Sequence, residues 1–355
     1  MQPGMSNNTS QLKHARQSKE YSPQIIEELV LKNISNVMAE FYEMQSQFLA
    51  IRYKMNHNIE TSNILTFLCK NLHLEILRQR EKYLDYDISL ENFLKINNFM
   101  RDNINSFNHG DNITSIVKHT GIPKETVRRK LKKLIESKLI LYDKKNKIFF
   151  FNLLPRNEKM FQDFIENDIN ALAKFILCLT NCFQSSFQLK DIKNEIKEQF
   201  SFYYYHYYSC QMKWLKMWQE KIKDLDLIFI TIQALIPNIR NLNSKADDPS
   251  ALNLNNLYTV IGRNNLDNEK VDNAINAHSI SGVTGIPRAT CIRKLEKLVS
   301  LGMLTRSQKT KRYYINQITK SRTSVLLTQD NIIYTVKTFS DYLSIVLNAL
   351  NRKKL

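Results

Sequence analysis

Apolar residues recur at helical spacing through most of this 355-residue chain, and Gly and Pro are scarce at 7 each, so the pattern predicts a mainly α-helical protein. From Thr120 to Leu134 the chain reads TGIPKETVRRKLKKL, and from Thr284 to Leu298 it reads TGIPRATCIRKLEKL. Thr-Gly-Ile predicts a tight turn in each, with Gly121 and Gly285 supplying its backbone freedom. Pro123 and Pro287 are expected at the first position of the helix that follows, where a missing N–H costs nothing. Val127, Leu131, Leu134 and Ile135 form an apolar stripe at helical spacing, repeated by Cys291, Leu295, Leu298 and Val299, and both stripes are expected to face the core. Next comes LILY from Leu139 or MLT from Met303, then DKKNK or RSQKTK, then IFFF from Ile148 or YYI from Tyr313. That is the composition of a β-hairpin with a basic tip.

The two stretches belong to a longer match. Ser115 to Asn152 and Ser279 to Asn316, laid over each other without a gap, agree at 15 of 38 positions. Weaker traces extend the same shift outside: ISLENF at Ile88 against LNLNNL at Leu252, Gln47 against Gln211, and Asp168 to Cys182 against Ile332 to Val346. The expectation is an internal duplication with pseudo-two-fold character, its halves at 24–187 and 188–355, after a disordered lead-in at 1–23.

Charge is concentrated beside the repeat. The net charge is +17, and an AT-rich codon bias toward Lys and Asn would spread such an excess along the chain. Here Lys124 to Lys147 holds ten basic residues against three acids, and Arg288 to Arg312 eight against one, so the two segments carry +14 of the +17. A basic surface of this kind suits nucleic acid.

Helix, turn, helix, hairpin is the order of a winged helix-turn-helix. The combination of TGIP, the Thr at 126 or 290, R-K-L-x-K-L and a basic hairpin resembles the DNA-binding heads of the IclR and MarR families of bacterial transcriptional regulators, over about forty residues per half. The resemblance implies heads at about 88–152 and 252–316, flanked by longer packing helices like the dimerisation helices of MarR-type proteins. On a helical wheel Thr126, Arg129 and Lys133 are expected opposite the core stripe, and Thr290, Arg293 and Lys297 repeat them. A hydroxyl there can bond a phosphate, Arg can reach a phosphate or a guanine edge, and Lys suits charge neutralisation. Lys124, Glu125 and Arg128 differ from Arg288, Ala289 and Ile292, so base-reading positions would give the heads different half-sites. The hairpin tips add Lys144, Lys145 and Lys147, or Arg306, Lys309, Lys311 and Arg312, where the wings of resembling families lie along DNA.

Two heads in one chain would do alone what most regulators of this type do as dimers, although fused halves can pair further. The partner expected is double-stranded DNA and the role transcriptional regulation. The rivals are a plasmid-type replication initiator with tandem winged helices and a protein-interaction scaffold. FSFYYYHYYSCQMKWLKMW, from Phe200 to Trp218, reads first as packing surface and second as a cage for a small-molecule effector, and His206 within it as packed or surface. Cys178 and Cys182, one helical turn apart, read as buried apolar residues and not as metal ligands. No phosphate loop, dinucleotide fingerprint or nucleophile motif is present, so neither an enzyme nor a cofactor is expected. The longest apolar run, Leu225 to Ile236, is interrupted by Asp226, Thr231 and Gln233, so no membrane span and a cytoplasmic address are expected.

Overall fold

The computed structural model describes residues 20–95, 110–152, 158–183, 187–245, 254, 274–315 and 329–353. Residues 1–19 of the lead-in, Asn316, and the stretches 96–109 and, except for Leu254, 252–273 of the two heads lie outside them, whereas the lead-in expected disordered to residue 23 has Tyr21 buried and Pro23 opening the first helix. Among the described residues the chain is mainly helical, with two small antiparallel two-stranded sheets. Among the described residues, no helix is long and apolar enough to cross a membrane.

A first set of elements comprises α1 (Pro23–Lys32), α2 (Ile34–Asn56), α3 (Ile59–Lys82), α4 (Ile113–Thr120), α5 (Lys124–Glu136), β1 (Ile140–Asp143), β2 (Ile148–Phe151) and α6 (Glu158–Cys182). A second set follows in the same order: α7 (Leu189–Glu198), α8 (Phe200–Ile222), α9 (Leu225–Lys245), α10 (Ala277–Thr284), α11 (Arg288–Ser300), β3 (Leu304–Arg306), β4 (Tyr313–Ile315) and α12 (Gln329–Lys353).

The spacing between matching elements is not constant. Gly121 and Gly285 both take positive φ, as do Lys147 and Lys311, and each pair is 164 residues apart. In the long helices the spacing is 166: Asn33 and Gln199 each end one helix and begin the next, and His57 and Lys223 close α2 and α8 in the left-handed conformation. Gln211 therefore pairs with Gln45 and not with Gln47, and both of these amides are fully buried. The last helices, α6 and α12, are each 25 residues long and start 171 apart, one heptad beyond the expected shift. Two helical turns take about seven residues, so a slip of one heptad leaves the apolar pattern almost unchanged.

Contacts between the sets are reciprocal. α3 packs on α8 while α9 packs on α2, and α4 packs on α8 while α10 packs on α2. The terminal helices are exchanged in the same way. α1 lies on α12, where the Tyr21 N–H donates to Asn348 Oδ1 at 2.8 Å and Ser344 Oγ donates to the Tyr21 carbonyl at 2.6 Å. α7 lies on α6, where Lys197 pairs with Glu166 at 2.5 Å. Mutual contacts of this kind are what an isologous interface produces.

The aromatic run from Phe200 to Trp218 forms much of this interlock. Tyr203, Tyr204, Tyr207, Tyr208, Trp214 and Trp218 are all buried, with Tyr207 edge-on to Phe48 at 5.8 Å and close to Tyr342. Its contribution to a cavity of about 50 Å³ beside α2, α3 and α6 is Tyr208 alone. That cavity is far smaller than the roughly 300–1,000 Å³ of a ligand pocket. His206 is half-buried, and Cys178 and Cys182 are half-buried where full burial was expected.

Candidate nucleic-acid interface

The two helix–turn–helix–hairpin units are built by the same local chemistry. Asn112 caps α4 by accepting from the Ser115 N–H at 2.9 Å, and Asn276 caps α10 within a capping box completed by Ser279. The turn is held by its threonine as well as by its glycine. Thr120 Oγ1 donates to the Ile116 carbonyl at 2.7 Å and accepts from the Ile122 N–H at 3.3 Å; Thr284 does the same with Ile280 and Ile286 at 2.7 and 3.1 Å. Gly121 and Gly285 follow at φ 69° and 75°, a left-handed conformation that favours glycine. Pro123 and Pro287 stand at the N-cap, one place earlier than expected, so that Lys124 and Arg288 open the helices. Each turn glycine faces the other set's second helix, Gly121 beside Lys216 of α8 and Gly285 beside Tyr53 and Lys54 of α2.

The hairpins form where the sequence places them, and each gains a bridge from the residues before its unit's first helix. Asp111 pairs with Phe149, and Ile275 with Tyr313. The first hairpin's turn is capped by Asp143, which accepts from the Lys145 and Asn146 N–H groups at 2.8 and 3.2 Å. Bonds from Asn146 hold its carboxyl below the ordinary range.

The helix faces are rotated from the expected position. Val127, Leu131 and Leu134 are buried, as are Cys291, Leu295 and Leu298, but Ile135 is 38% exposed and Val299 half-buried. In their place the inward arc takes in Lys130 and Lys294. Lys130 Nζ donates to Asn58 Oδ1 at 2.5 Å and lies 3.2 Å from Glu60. Lys294 Nζ lies 2.8 Å from Asp224 and 3.1 Å from Asp226. Burial opposes the Lys294 charge, but those two carboxylates outweigh it and hold the ammonium above the ordinary lysine range. Asn58 with Glu60 and Asp224 with Asp226 occupy matching places at the starts of α3 and α9, so each lysine ties its helix to the same point on the body.

This rotation leaves Thr126 and Thr290 half-buried at the edge of the outward face, with Arg129, Lys133, Arg293 and Lys297 exposed. Arg129 and Lys133 line a groove of about 640 Å³ whose other wall is the α2–α3 elbow at His57, Asn58 and Thr61. Lys124, Glu125, Arg128, Arg288, Ala289 and Ile292 are all exposed, with Arg128 paired to Glu125 at 2.5 Å. At the tips Lys144, Lys145, Lys147, Lys309, Lys311 and Arg312 are exposed. Arg306 is engaged within its own unit, 2.8 Å from Glu296 and over the Tyr313 ring. Burial and a bond from its hydroxyl to Glu296 push the Tyr313 phenol up to about 12.

No protein-family model, no curated protein and no solved structure gives a significant match to this chain. Its own chemistry is the guide. Each unit presents a cationic helix and a cationic hairpin tip, a combination suited to a polyanion. Lys130, Lys294, Thr120 and Thr284 were missed as structural residues. The signal for the lysines was the acids at the starts of α3 and α9, the places where N-terminal helix turns favour carboxylates.

Proposed function

We propose that this chain is a sequence-specific double-stranded DNA-binding protein that acts as a transcriptional regulator. In this reading each helix–turn–helix–hairpin unit is a winged helix-turn-helix head of the kind that IclR- and MarR-type regulators carry, and the two halves of the chain are copies of one ancestral unit fused into a pseudo-dimer. α5 and α11 are the recognition helices, and the tips at Lys144 to Lys147 and Lys309 to Arg312 lie along the phosphates.

The observation that carries the reading is the exposure of Arg129 with Lys133, and of Arg293 with Lys297, at the same places on two helices that each follow a Thr-Gly-Ile-Pro turn and precede a basic hairpin. The reciprocal packing of the two sets supports the pseudo-dimer. Selection of bound duplexes from a random pool, followed by titration at several salt concentrations, tests the function. A defined target whose affinity falls steeply with salt is expected, because neutralising several phosphates releases their counterions. Retention of no sequence, with binding indifferent to salt, would refute it.

A further inference from the structure

The two helix faces agree along one edge and differ in kind along the other. Thr126, Arg129 and Lys133 have identical counterparts in Thr290, Arg293 and Lys297. In the first two turns the chemistry separates. α5 offers Glu125 and Arg128, both exposed and bonded to each other at 2.5 Å. The same places in α11 hold Ala289, also exposed, and Ile292, which is 37% exposed and carries neither donor nor acceptor.

Ile292 stands among exposed cations, with Arg288 and Arg293 on the same helix. Charge complementarity selects a polyanion for this surface, and the apolar group that duplex DNA presents in its major groove is the thymine C5-methyl. Arg128 and Glu125 suit other edges, Arg the O6 and N7 acceptors of guanine and Glu the N4 donor of cytosine.

We infer that the two heads read chemically different half-sites: Ala289 and Ile292 of the second meet thymine methyls, Arg128 and Glu125 of the first meet a G·C pair, and the shared Thr-Arg-Lys edge holds the backbone in both. The inference rests on the DNA-binding reading above. It makes the preferred target asymmetric, although the scaffold that carries the heads is built from reciprocal contacts.

The test uses the full chain and the best duplex recovered from the random pool. Each thymine is replaced in turn by uracil, which removes the C5-methyl and nothing else, and affinity is read by fluorescence anisotropy. Uracil at one or two positions in a single half-site is expected to weaken binding about fourfold, the equivalent of one buried methyl group. The penalty at the thymine that Ile292 meets should vanish in Ile292→Ala, while any penalty at the thymine that Ala289 meets is retained and the circular dichroism spectrum is unchanged. The double variant Ala289→Glu with Ile292→Arg should select an inverted repeat of the first head's half-site. A perfect inverted repeat selected by the natural chain, or uracil penalties none of which is lost in Ile292→Ala, would overturn the inference while salt-sensitive DNA binding survived. Failure to bind any duplex would remove the DNA-binding reading and this inference with it.

Discussion

Lys130 Nζ lies 3.2 Å from Glu60, and Lys294 Nζ lies 2.8 Å from Asp224, so one lysine on each basic helix serves as an anchor to the helical body. Their neighbours Arg129 and Arg293 are exposed, and the two kinds of cation should separate in experiment. Lys130→Ala takes the ammonium from Glu60 and Asn58, which keep their bonds from Gln219 and Thr61, and is expected to cost about 1–2 kcal/mol of stability in urea unfolding, with little change in the salt dependence of DNA binding. Arg129→Ala and Arg293→Ala should each leave stability unaltered and weaken DNA binding by about 1–3 kcal/mol.

A further ion pair is buried. Arg52 bonds Asp168 through both terminal nitrogens, at 3.3 and 2.9 Å, and uses its remaining donors on Thr66, the Phe48 carbonyl and Tyr208. Every guanidinium N–H is thereby matched. The places equivalent to Arg52 and Asp168 in the second set, taken at the helix spacings of 166 and 171, hold Trp218 and Phe339, both buried. Asp168→Ala leaves the guanidinium unpaired in the interior and is expected to destabilise by about 3–5 kcal/mol. The pair Arg52→Met with Asp168→Leu should recover most of that loss in the same denaturation assay.

His73 is fully buried, stacked on Phe93 at 4.6 Å, and burial pushes it down to about 3. The folded chain therefore keeps the ring neutral, whereas the unfolded chain protonates it below about 6.5. Its contribution to stability is complete above about pH 6.5 and is lost as the pH falls toward 3, by about 1.4 kcal/mol per pH unit. Replacing it with leucine should flatten the fall in urea midpoint between pH 6 and pH 4 relative to the natural chain. Parallel curves for the two proteins would show that His73 does not set this slope.

The joint between each helix and its hairpin gives a further contrast. Leu139 N–H reaches the Leu134 carbonyl at 3.0 Å and Met303 N–H the Leu298 carbonyl at 2.9 Å, the long bond of a Schellman ending. The left-handed place inside that ending is Lys138 at φ 59° in one unit and Gly302 at φ 71° in the other. Gly302→Ala should lower stability by about 1–2 kcal/mol, whereas Lys138→Gly should raise it by about 0.5–1 kcal/mol; thermal unfolding distinguishes the signs.

Much of each unit could be read from the chain because its signals are local. Thr-Gly-Ile-Pro marks a turn by backbone conformation alone, and IFFF or YYI marks a strand by composition. What escaped depends on distant partners. Lys130 looks like any solvated lysine until the start of α3 is set against it, and that contact rotates the buried arc away from Ile135. Lys138 escaped because lysine seldom adopts positive φ, although Gly302 in the matching place was a clue. The 166-residue spacing of the long helices was hidden because α2 and α8 bury residues around most of their circumference, so their apolar pattern marks no single face and fixes the register poorly. The exchange of α1 and α7 between the sets has no local signature at all.

The central proposition is that both basic helices grip one duplex together. Hydroxyl-radical footprinting on the selected target tests it most directly. Two protected patches are expected, centred about one helical turn, 10–10.5 base pairs, apart, and both should fade in the Arg129→Ala and Arg293→Ala double variant. A single short patch, or two that persist unchanged in the double variant, would contradict it.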